Sequence, residues 1–248
     1  MMRNIKLTVQ YDGTNYHGWQ VQTRHATIQG KLIEAIRPMA ANHPIKCIGA
    51  SRTDAGVHAI GQVANFRIPQ SVTISCAAFY HGLNSLTPED IIITDVQEVA
   101  PEFHARFDAR GKTYCYQIWN AEHGAMYHLR FAWQLRRKLN LPAMRAAARY
   151  LVGQHDFKAF QASSCDAATS IRTISAIHLR QQKSMVRIFI KANAYLHRMV
   201  RNIVGTLVDV GNERMPPEAV RRILEGADRT LAGVTAPAHG LLLLKVYY

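Results

Sequence analysis

The sequence lacks the features that define several common classes of protein. The N-terminal stretch MMRNIKLTVQYDG has no apolar run of signal-peptide length, and the apolar run Leu241–Leu244 is too short to span a bilayer. The glycine-rich phosphate-binding loop, the HExxH pattern and the GxSxG pattern are also absent, so nucleotide hydrolysis, zinc proteolysis and serine hydrolysis have no support. Because the sequence has neither a signal-peptide run nor a membrane-spanning run, we expect a protein that stays in the cytoplasm.

Cysteine is scarce and widely spaced. Cys47, Cys76, Cys115 and Cys165 form no CxxC pair, and no histidine stands at ligand spacing from them. This arrangement predicts neither a zinc site nor a disulfide framework. We expect four reduced thiols, most of them buried.

Negative charge is scarce in the second half of the chain. Residues 1–124 contain 11 Lys and Arg against 10 Asp and Glu, whereas residues 125–248 contain 19 against 7, and the formal net charge of the whole chain is +13. A polyanion such as nucleic acid is the natural partner of such a surface, and its binding should weaken steeply with salt. The alternative is a basic surface that serves only solubility.

The order of predicted strands and helices indicates an α+β fold. Alternating apolar residues predict a strand in NIKLTVQYDG (4–13), and Thr27 can cap a helix in TIQGKLIEAIRPMA (27–40). The further predicted segments of the first half are IKCIGAS (45–51), GQVANFRI (61–68), SCAAFYHGLNSL (75–86) and DIIITDVQEV (90–99). Strand, helix, strands, helix and strand with short links favour helices on one face of a largely antiparallel sheet.

The second half has the same ingredients. Its predicted segments are the strand GKTYCYQIWN (111–120), the helix LPAMRAAARYLVG (141–153), a hairpin of SIRTISAIHLRQQ (170–182) with SMVRIFIKANAY (184–195), the helix LHRMVRNIVGTLVDVG (196–211), the helix PPEAVRRILEG (216–226) and the strand GLLLLKVYY (240–248). The shared order predicts two similar halves that join near residues 100–110.

One carboxylate stands out in the stretch GASRTDAGVHAIGQVANF (49–66). Asp54 lies between two predicted strands, Gly56 permits a tight turn, and Arg52 can share a face with Asp54 because alternate residues of an extended segment point to one side. Taken alone, an R-T-D-A-G run is more typical of a turn whose aspartate binds nearby amides. It is also compatible with a catalytic carboxylate.

Two further segments could supply partners for that carboxylate. Arg201 lies at the flank of the apolar stripe of the helix from Leu196, with His197 as its i+4 neighbour, and it can either extend to water or pair with a carboxylate. Tyr114 and Tyr116 share a face of their strand. Two such tyrosines usually pack in a core, but one beside a carboxylate could stack on a flipped base or accept a proton.

Six stretches in order resemble the tRNA pseudouridine synthases of the TruA type. They are YDGTNYHGWQ (11–20), SRTDAGVHA (51–59), FHARFDARGKTYCY (103–116), LVGQHDFKAF (151–160), ANAYLHRMVRNIVG (192–205) and APAHGLLLLKVYY (236–248). The resemblance implies an enzyme that converts uridine to pseudouridine at positions 38, 39 and 40 of the tRNA anticodon stem-loop. It also implies two ferredoxin-like halves, residues 1–103 and 104–248, whose largely antiparallel sheets join around a central basic cleft.

The resemblance also implies the roles of four residues. Asp54 matches the aspartate nucleophile, Arg52 the arginine that helps to flip the target base, Tyr114 the tyrosine that stacks on the target uracil, and Arg201 the arginine that pairs with the aspartate. It implies a homodimer that uses no metal and no organic cofactor. The family turn usually reads G-x-G-R-T-D, whereas Ser51 stands here in place of the second glycine, and we expect a small serine to fit.

Two rival functions remain open at this point. A non-catalytic RNA-binding protein with RRM-like halves would also be basic and carry aromatic strands. A metal-dependent RNA nuclease could use Asp54 with Asp12 or Asp108.

Overall fold

The computed structural model describes residues 2–165 and 167–248. The chain divides into two compact units, the first formed by Met1–Arg110 with Leu243–Tyr248 and the second by Gly111–Leu242. The division at residues 103 and 104 that the resemblance implied stays a prediction.

The first unit has the βαββαβ order of a ferredoxin-like motif. Its elements are β1 (Met2–Tyr11), α1 (Ile28–Met39), β2 (Ile48–Gly49), β3 (His58–Pro69), α2 (Cys76–Leu86) and β4 (Ile91–Val99). Strand β1 lies between β4 and β3, and β2 pairs with the other edge of β3, all antiparallel. The strand order β4-β1-β3-β2 is therefore that of a split βαβ motif. The last strand of the chain, β10 (Leu241–Tyr247), also pairs with β3.

The second unit repeats part of this arrangement. Its elements are β5 (Gly111–Asn120), β6 (Trp133–Leu135), α3 (Leu141–Arg149), β7 (Gly153–Asp156), β8 (Ile171–Gln182), β9 (Met185–Ala192), α4 (Met199–Gly211) and α5 (Ala219–Gly226). The strand order is β5-β9-β8-β7, with antiparallel neighbours, and β6 adds a parallel pairing to β5. The prediction of an α+β fold with largely antiparallel sheets is confirmed, while the joining of two halves around a basic cleft stays a prediction.

Local signals in the sequence explain where several elements begin. The Thr27 side chain accepts a hydrogen bond from the Gly30 N–H, which is the predicted cap of α1. Helix α4, in contrast, begins at Met199 and not at Leu196 as predicted. Arg198, the residue before it, has a φ of +60°, a left-handed conformation that the apolar spacing could not reveal.

Apolar residues fill the interior of both units. The alternation predicted for β1 places Ile5, Leu7 and Val9 in the core with no exposed surface. Within the described part of the chain, no helix combines the length and the apolar composition needed to cross a membrane. All four cysteines are free thiols, but only Cys47 and Cys115 are buried, so the expectation that most are buried is met by half of them. Burial raises the pKa of these two thiols to about 12.

Candidate functional site

Asp54 lies in a short loop between two strands of the first unit, as predicted. We call residues 51–57, which follow β2 and precede β3, the Asp54 turn. The Val57 N–H donates to the Asp54 carbonyl oxygen at 3.1 Å, and Gly56, with a φ of +75°, supplies the left-handed residue that this tight turn requires. Asp54 is half-buried and Arg52 is exposed. The turn thus presents a carboxylate from a short, hydrogen-bonded loop.

A buried glutamine holds the start of the Asp54 turn. The Gln62 Nε2 donates to the Ser51 carbonyl oxygen at 2.8 Å, and the Ser51 N–H donates to Gln62 Oε1 at 3.2 Å. Gln62 has no exposed surface, so water does not compete for these bonds. The side-chain amide therefore continues, beyond the end of β2, the pairing with β3 that the Ala50 N–H makes with the Val63 carbonyl at 2.8 Å.

Two aromatic residues support the middle of the turn. The hydroxyl groups of Tyr11 and Thr53 form a hydrogen bond of 2.8 Å, and the backbone N–H of Trp19 donates to the Thr53 carbonyl oxygen at 3.0 Å. The two rings lie 6.3 Å apart between centroids, and Trp19 is 1% exposed. A Cβ at Gly49 would overlap the Trp19 indole, which explains why a glycine ends β2. Thr53, the neighbour of Asp54, is therefore fixed from both sides.

The stretch YDGTNYHGWQ packs directly against the Asp54 turn. Gly18 has a φ of +84°, and a Cβ built there would lie 2.5 Å from the Thr53 carbonyl oxygen. A Cβ at Gly13 would overlap the Val57 carbonyl, and the Gly13 N–H donates to His58 Nδ1 at 3.0 Å. Sequence reasoning quoted this stretch only as part of the resemblance and missed its supporting role. The available signal was the pair of glycines flanking an aromatic segment.

Ser51 adopts an ordinary backbone conformation. The non-glycine residues with positive φ do not include Ser51, so the serine occupies the usual glycine position without left-handed strain. It is half-buried, and both its backbone groups bind Gln62. The expectation that a small serine fits here agrees with this geometry.

Tyr114 and Tyr116 lie on β5 in the second unit and differ in their surroundings. The Tyr116 hydroxyl donates to the Pro237 carbonyl oxygen at 2.7 Å, and burial raises the pKa of this fully buried phenol. Tyr114 is 6% exposed and meets the ring of Tyr195 edge to face, with centroids 5.0 Å apart. The Tyr195 hydroxyl lies 2.7 Å from the Ile190 carbonyl oxygen, which fixes the ring beside Tyr114. Tyr116 is a packing residue, and Tyr114 remains the candidate for a base contact.

Arg201 is a half-buried residue of α4 held by the chain that follows α5. Its Nε donates to the Ala236 carbonyl oxygen at 2.7 Å, and the Ala236 N–H donates to the Arg201 carbonyl oxygen at 3.1 Å. Because α4 begins at Met199, His197 precedes the helix and is not the helical i+4 neighbour of Arg201, which corrects that prediction. The His197 Nδ1 lies 3.3 Å from the Ser164 Oγ.

The segment that holds Arg201 was missed by sequence reasoning. We call residues 229–237 the clamp segment. Asn202 Oδ1 accepts from the Thr235 hydroxyl at 2.7 Å, and the Gly233 N–H donates to the Thr206 Oγ1 at 2.9 Å. A Cβ at Gly205 would overlap the Val234 carbonyl oxygen, so only glycine lets the clamp segment lie against α4. The sequence offered one signal, the glycine one turn beyond Arg201.

The structure distributes the predicted site residues over both units. Arg52 and Asp54 lie in the first unit, and Tyr114 and Arg201 lie in the second. The pairing of Asp54 with Arg201 and the stacking of Tyr114 on a target base stay predictions.

Asp12 and Asp108, which the nuclease hypothesis would use beside Asp54, accept hydrogen bonds from nearby backbone amides. Asp12 Oδ1 accepts from the Thr14 N–H at 2.9 Å and lies 3.0 Å from His58 Nδ1, and Asp108 Oδ2 accepts from the His104 N–H at 2.9 Å. Among residues 2–165 and 167–248, no cluster of three or more His, Cys, Asp or Glu side chains is arranged to hold a metal ion.

Comparison with known proteins places the chain in a family. Residues 7–108 and 147–248 match the profile of a family described as tRNA pseudouridine synthase. The chain is 43% identical to "tRNA pseudouridine synthase A 2" of Clostridium perfringens and 43% identical to "tRNA pseudouridine synthase A" of Acetivibrio thermocellus, each over 247 residues with 100% of both chains covered. The chain is also 44% identical to "tRNA pseudouridine synthase A" of Pelobacter propionicus over 247 residues, again with 100% of both chains covered.

The likeness to solved structures is much weaker. The structure of an archaeal box H/ACA sRNP Nop10-Cbf5 complex aligns with a TM-score of 0.37 at 10% identity, covering 97% of this chain and 48% of that chain. The family assignment rests on the relatives that match along their whole length. The chain belongs to the tRNA pseudouridine synthase family, whose members are isomerases that act on tRNA. The recognition of this family and the prediction of an isomerase are confirmed.

Proposed function

We propose that this enzyme converts uridine to pseudouridine at positions 38, 39 and 40 of the anticodon stem-loop of tRNA, with Asp54 as the nucleophile. The supporting observation is the Asp54 turn, in which Gln62, Tyr11 and Trp19 hold Ser51 and Thr53, two of the residues that lead into a half-buried carboxylate. Such a brace suits a group that must meet one atom of its substrate reproducibly.

The reaction needs a carboxylate and no redox chemistry. The N1–C1′ glycosidic bond of uridine must break, the uracil must turn, a C5–C1′ bond must form, and the proton on C5 must leave. Asp54 either adds to C6 of the base, from which it is eliminated after the C5–C1′ bond has formed, or it acts at the sugar. At C1′ it displaces the uracil and is itself displaced as C5 bonds to C1′, whereas at C2′ it removes a proton while the N1–C1′ bond breaks and returns the proton as C5 bonds to C1′. Tyr114 or Asp54 itself accepts the C5 proton.

The other three residues have roles in reaching and holding the base. Arg52, an exposed residue of the Asp54 turn, helps to flip the target nucleotide. Tyr114 stacks on the extruded uracil, and Arg201 pairs with Asp54. Unstacking a base costs roughly a few kcal/mol, which contacts between the basic second unit and RNA phosphates offset. Residues 111–242 contain 19 Lys and Arg against 8 Asp and Glu.

The enzyme acts in the cytoplasm as a homodimer, without metal or organic cofactor. Its halves are residues 1–103 and 104–248, joined around a basic cleft. Sedimentation equilibrium should then give a mass of twice the 27.9 kDa of one chain. A mass equal to that of one chain would remove the dimer from the proposal.

Tritium release tests the proposed nucleophile. Pseudouridine formation liberates the C5 hydrogen, so the wild type should release tritium from tRNA that contains 5-tritiated uridine. Asp54→Ala should abolish release while tRNA binding persists, and Asp95→Asn, a change to another half-buried aspartate of the first unit, should leave release unchanged. Equal release from wild type and Asp54→Ala would refute the proposal, and binding without release from either would favour the RRM-like alternative.

A further inference from the structure

A basic groove lies on the surface of the second unit, and its lining contains none of the four predicted site residues. It has a volume of about 300 Å³ and lies between the end of α3 and the middle of β8. Four cationic or imidazole side chains line it, namely Arg145, Arg149, His178 and Arg180, all of them exposed. We call it the α3–β8 groove.

The strand pairing explains why the groove is open. Strand β7 pairs with β8 only over Ile171–Ile174, so residues 177–180 of β8 lie beyond the end of that pairing. Helix α3 runs beside this stretch. Ala148 and Leu179 contribute small and aliphatic surface to the lining. The lining thus combines aliphatic residues with exposed cationic ones, and we call Arg145, Arg149 and Arg180 the rim arginines.

The rim arginines differ in their pairing from other arginines of the second unit. Elsewhere in the second unit, Arg214 lies 3.0 Å from Asp209 and Arg137 lies 3.8 Å from Glu213. Within the described residues, by contrast, neither Arg145, Arg149 nor Arg180 forms an ion pair with a carboxylate.

The contacts these rim residues do make leave most of their donors available. Arg145 Nη2 lies 3.4 Å from the Leu179 carbonyl oxygen, and the Arg180 guanidinium lies 5.9 Å from the centre of the Phe189 ring. A guanidinium has five N–H donors, so a single long contact leaves Arg145 able to bind an anion in a forked geometry.

We propose that the α3–β8 groove binds the sugar–phosphate backbone of the substrate tRNA. Exposed guanidinium groups match phosphate oxygens, and tRNA is the polyanion that this family acts on. Contacts of this kind position an RNA without reading its sequence. This inference rests on the proposed function and adds to it a docking site that contains none of the proposed catalytic residues.

An alternative role for the same arginines is protection of a sheet edge. Charged side chains on an edge strand discourage pairing with other chains, and this role needs no RNA. This role predicts that removal of the charges promotes association of the protein. It also predicts that the affinity for RNA falls only as much as in a variant that loses the same charge elsewhere on the surface. The experiment therefore needs a control with the same change in net charge.

The test compares two double variants of the full chain. Arg149→Glu with Arg180→Glu alters the groove, and Lys183→Glu with Arg222→Glu makes the same charge change at two exposed residues outside its lining. The dissociation constant for unmodified tRNA is measured by filter binding over a range of salt concentrations. Tritium release is measured on the same tRNA, and folding is verified by circular dichroism.

The proposal predicts a specific loss in the groove variant. Its dissociation constant should rise about tenfold or more above that of the control, and the slope of log K against log salt should become shallower by roughly two, one for each lost phosphate contact. Its KM should rise while kcat at saturating tRNA stays at the control value. If the Arg149→Glu, Arg180→Glu protein does not fold, a second pair of variants replaces it. Arg149→Gln with Arg180→Gln should then bind tRNA more weakly than Lys183→Gln with Arg222→Gln.

Equal affinities and equal salt slopes in groove and control variants would overturn the inference, and association of the groove variant alone would assign the arginines to edge protection. Failure of the proposed function gives a different result. In that case the wild type itself releases no tritium, whereas binding still reports on the groove.

Discussion

At the scale of single residues, the position of Asp54 depends on side chains that sequence reasoning did not single out. Gln62 binds both backbone groups of Ser51, and the Tyr11 hydroxyl binds that of Thr53. Gln62 acts on the turn through the backbone of Ser51, so we regard Gln62 as a positioning residue. Its contribution should appear in the rate of the chemical step more than in tRNA affinity.

Replacement of Gln62 tests this positioning role. Gln62→Leu removes both bonds to Ser51 and leaves buried backbone groups without them, so the free energy of unfolding should fall by about 1–3 kcal/mol. A shift of the turn by about 1 Å can cost roughly a hundredfold in rate. We expect kcat for tritium release to fall between about tenfold and a hundredfold while KM changes little.

Two further variants separate positioning from general loss of stability. In Gln62→Glu, a protonated carboxyl can donate to the Ser51 carbonyl whereas an ionised one repels it, so kcat relative to wild type should rise as pH falls. Gln97→Leu, at an exposed glutamine of β4, should leave kcat unchanged. A Gln62→Leu enzyme with wild-type kcat would refute the role of Gln62.

His239 provides a pH-dependent prediction at the same scale. Burial lowers its pKa from 6.5, the nearby charge of Arg201 lowers it too, and a hydrogen bond with the Ala132 backbone opposes both. In the unfolded chain its pKa should be about 6.5, so the unfolded state binds the proton first as pH falls. The stability contributed by neutral His239 is therefore fully present above pH 6.5 and is lost as pH falls through the folded-state pKa.

Nuclear magnetic resonance can check the direction of this shift. The imidazole signals of His239, assigned by their loss in His239→Gln, should titrate with a midpoint below 6.5. A midpoint at or above 6.5 would contradict the described surroundings of Arg201 and His239.

At the scale of elements, α4 and the clamp segment form one structure. Asn202 and Thr206 on α4 bind Thr235 and Gly233, and the Arg201 guanidinium binds Ala236. The clamp segment has little regular structure of its own, so its position depends on these bonds and on the close approach at Gly205. The direction of the Arg201 side chain depends on the same contact.

Gly205→Ala should disturb this contact. The added methyl group would overlap the Val234 carbonyl oxygen, and such overpacking typically costs about 1–3 kcal/mol. Urea denaturation should show a midpoint lowered accordingly, with a lower kcat because Arg201 loses its bond to Ala236.

Gly226→Ala is the matched control in α5. A Cβ at Gly226 would meet no atom closer than 3.9 Å, so this helical substitution should be neutral or stabilising by about 0.5 kcal/mol. A Gly205→Ala protein as stable as the Gly226→Ala protein would show that the close approach does not constrain the clamp segment.

The elements that the sequence predicted are those with strong local signals. Alternation identified β1 and the β8–β9 hairpin, and the Thr27 cap marked the start of α1. The start of α4 was predicted wrongly because the left-handed Arg198 leaves no trace in apolar spacing. The parallel pairing of β6 and the clamp segment depend on contacts between residues far apart in sequence, which periodicity does not encode.

At the scale of the whole molecule, charge and family membership agree. The excess of basic residues predicted a polyanionic partner, and the family into which the full chain falls acts on tRNA. Asp54 and Arg52 could be predicted as candidates because they stand two residues apart in one short turn, which the sequence shows directly. Gln62, Trp19 and Gly18 could not, since their bonds to the turn exist only in the folded first unit.

The most direct test of the central claim is to map pseudouridine in one tRNA after a single turnover. An unmodified tRNA with uridines at positions 38, 39 and 40 is incubated with excess wild-type enzyme or with Asp54→Asn, and carbodiimide labelling followed by primer extension locates the product. We predict stops at those positions for the wild type and none for Asp54→Asn at equal tRNA occupancy. Stops of equal strength with the Asp54→Asn enzyme, or wild-type stops only outside the anticodon stem-loop, would contradict the account.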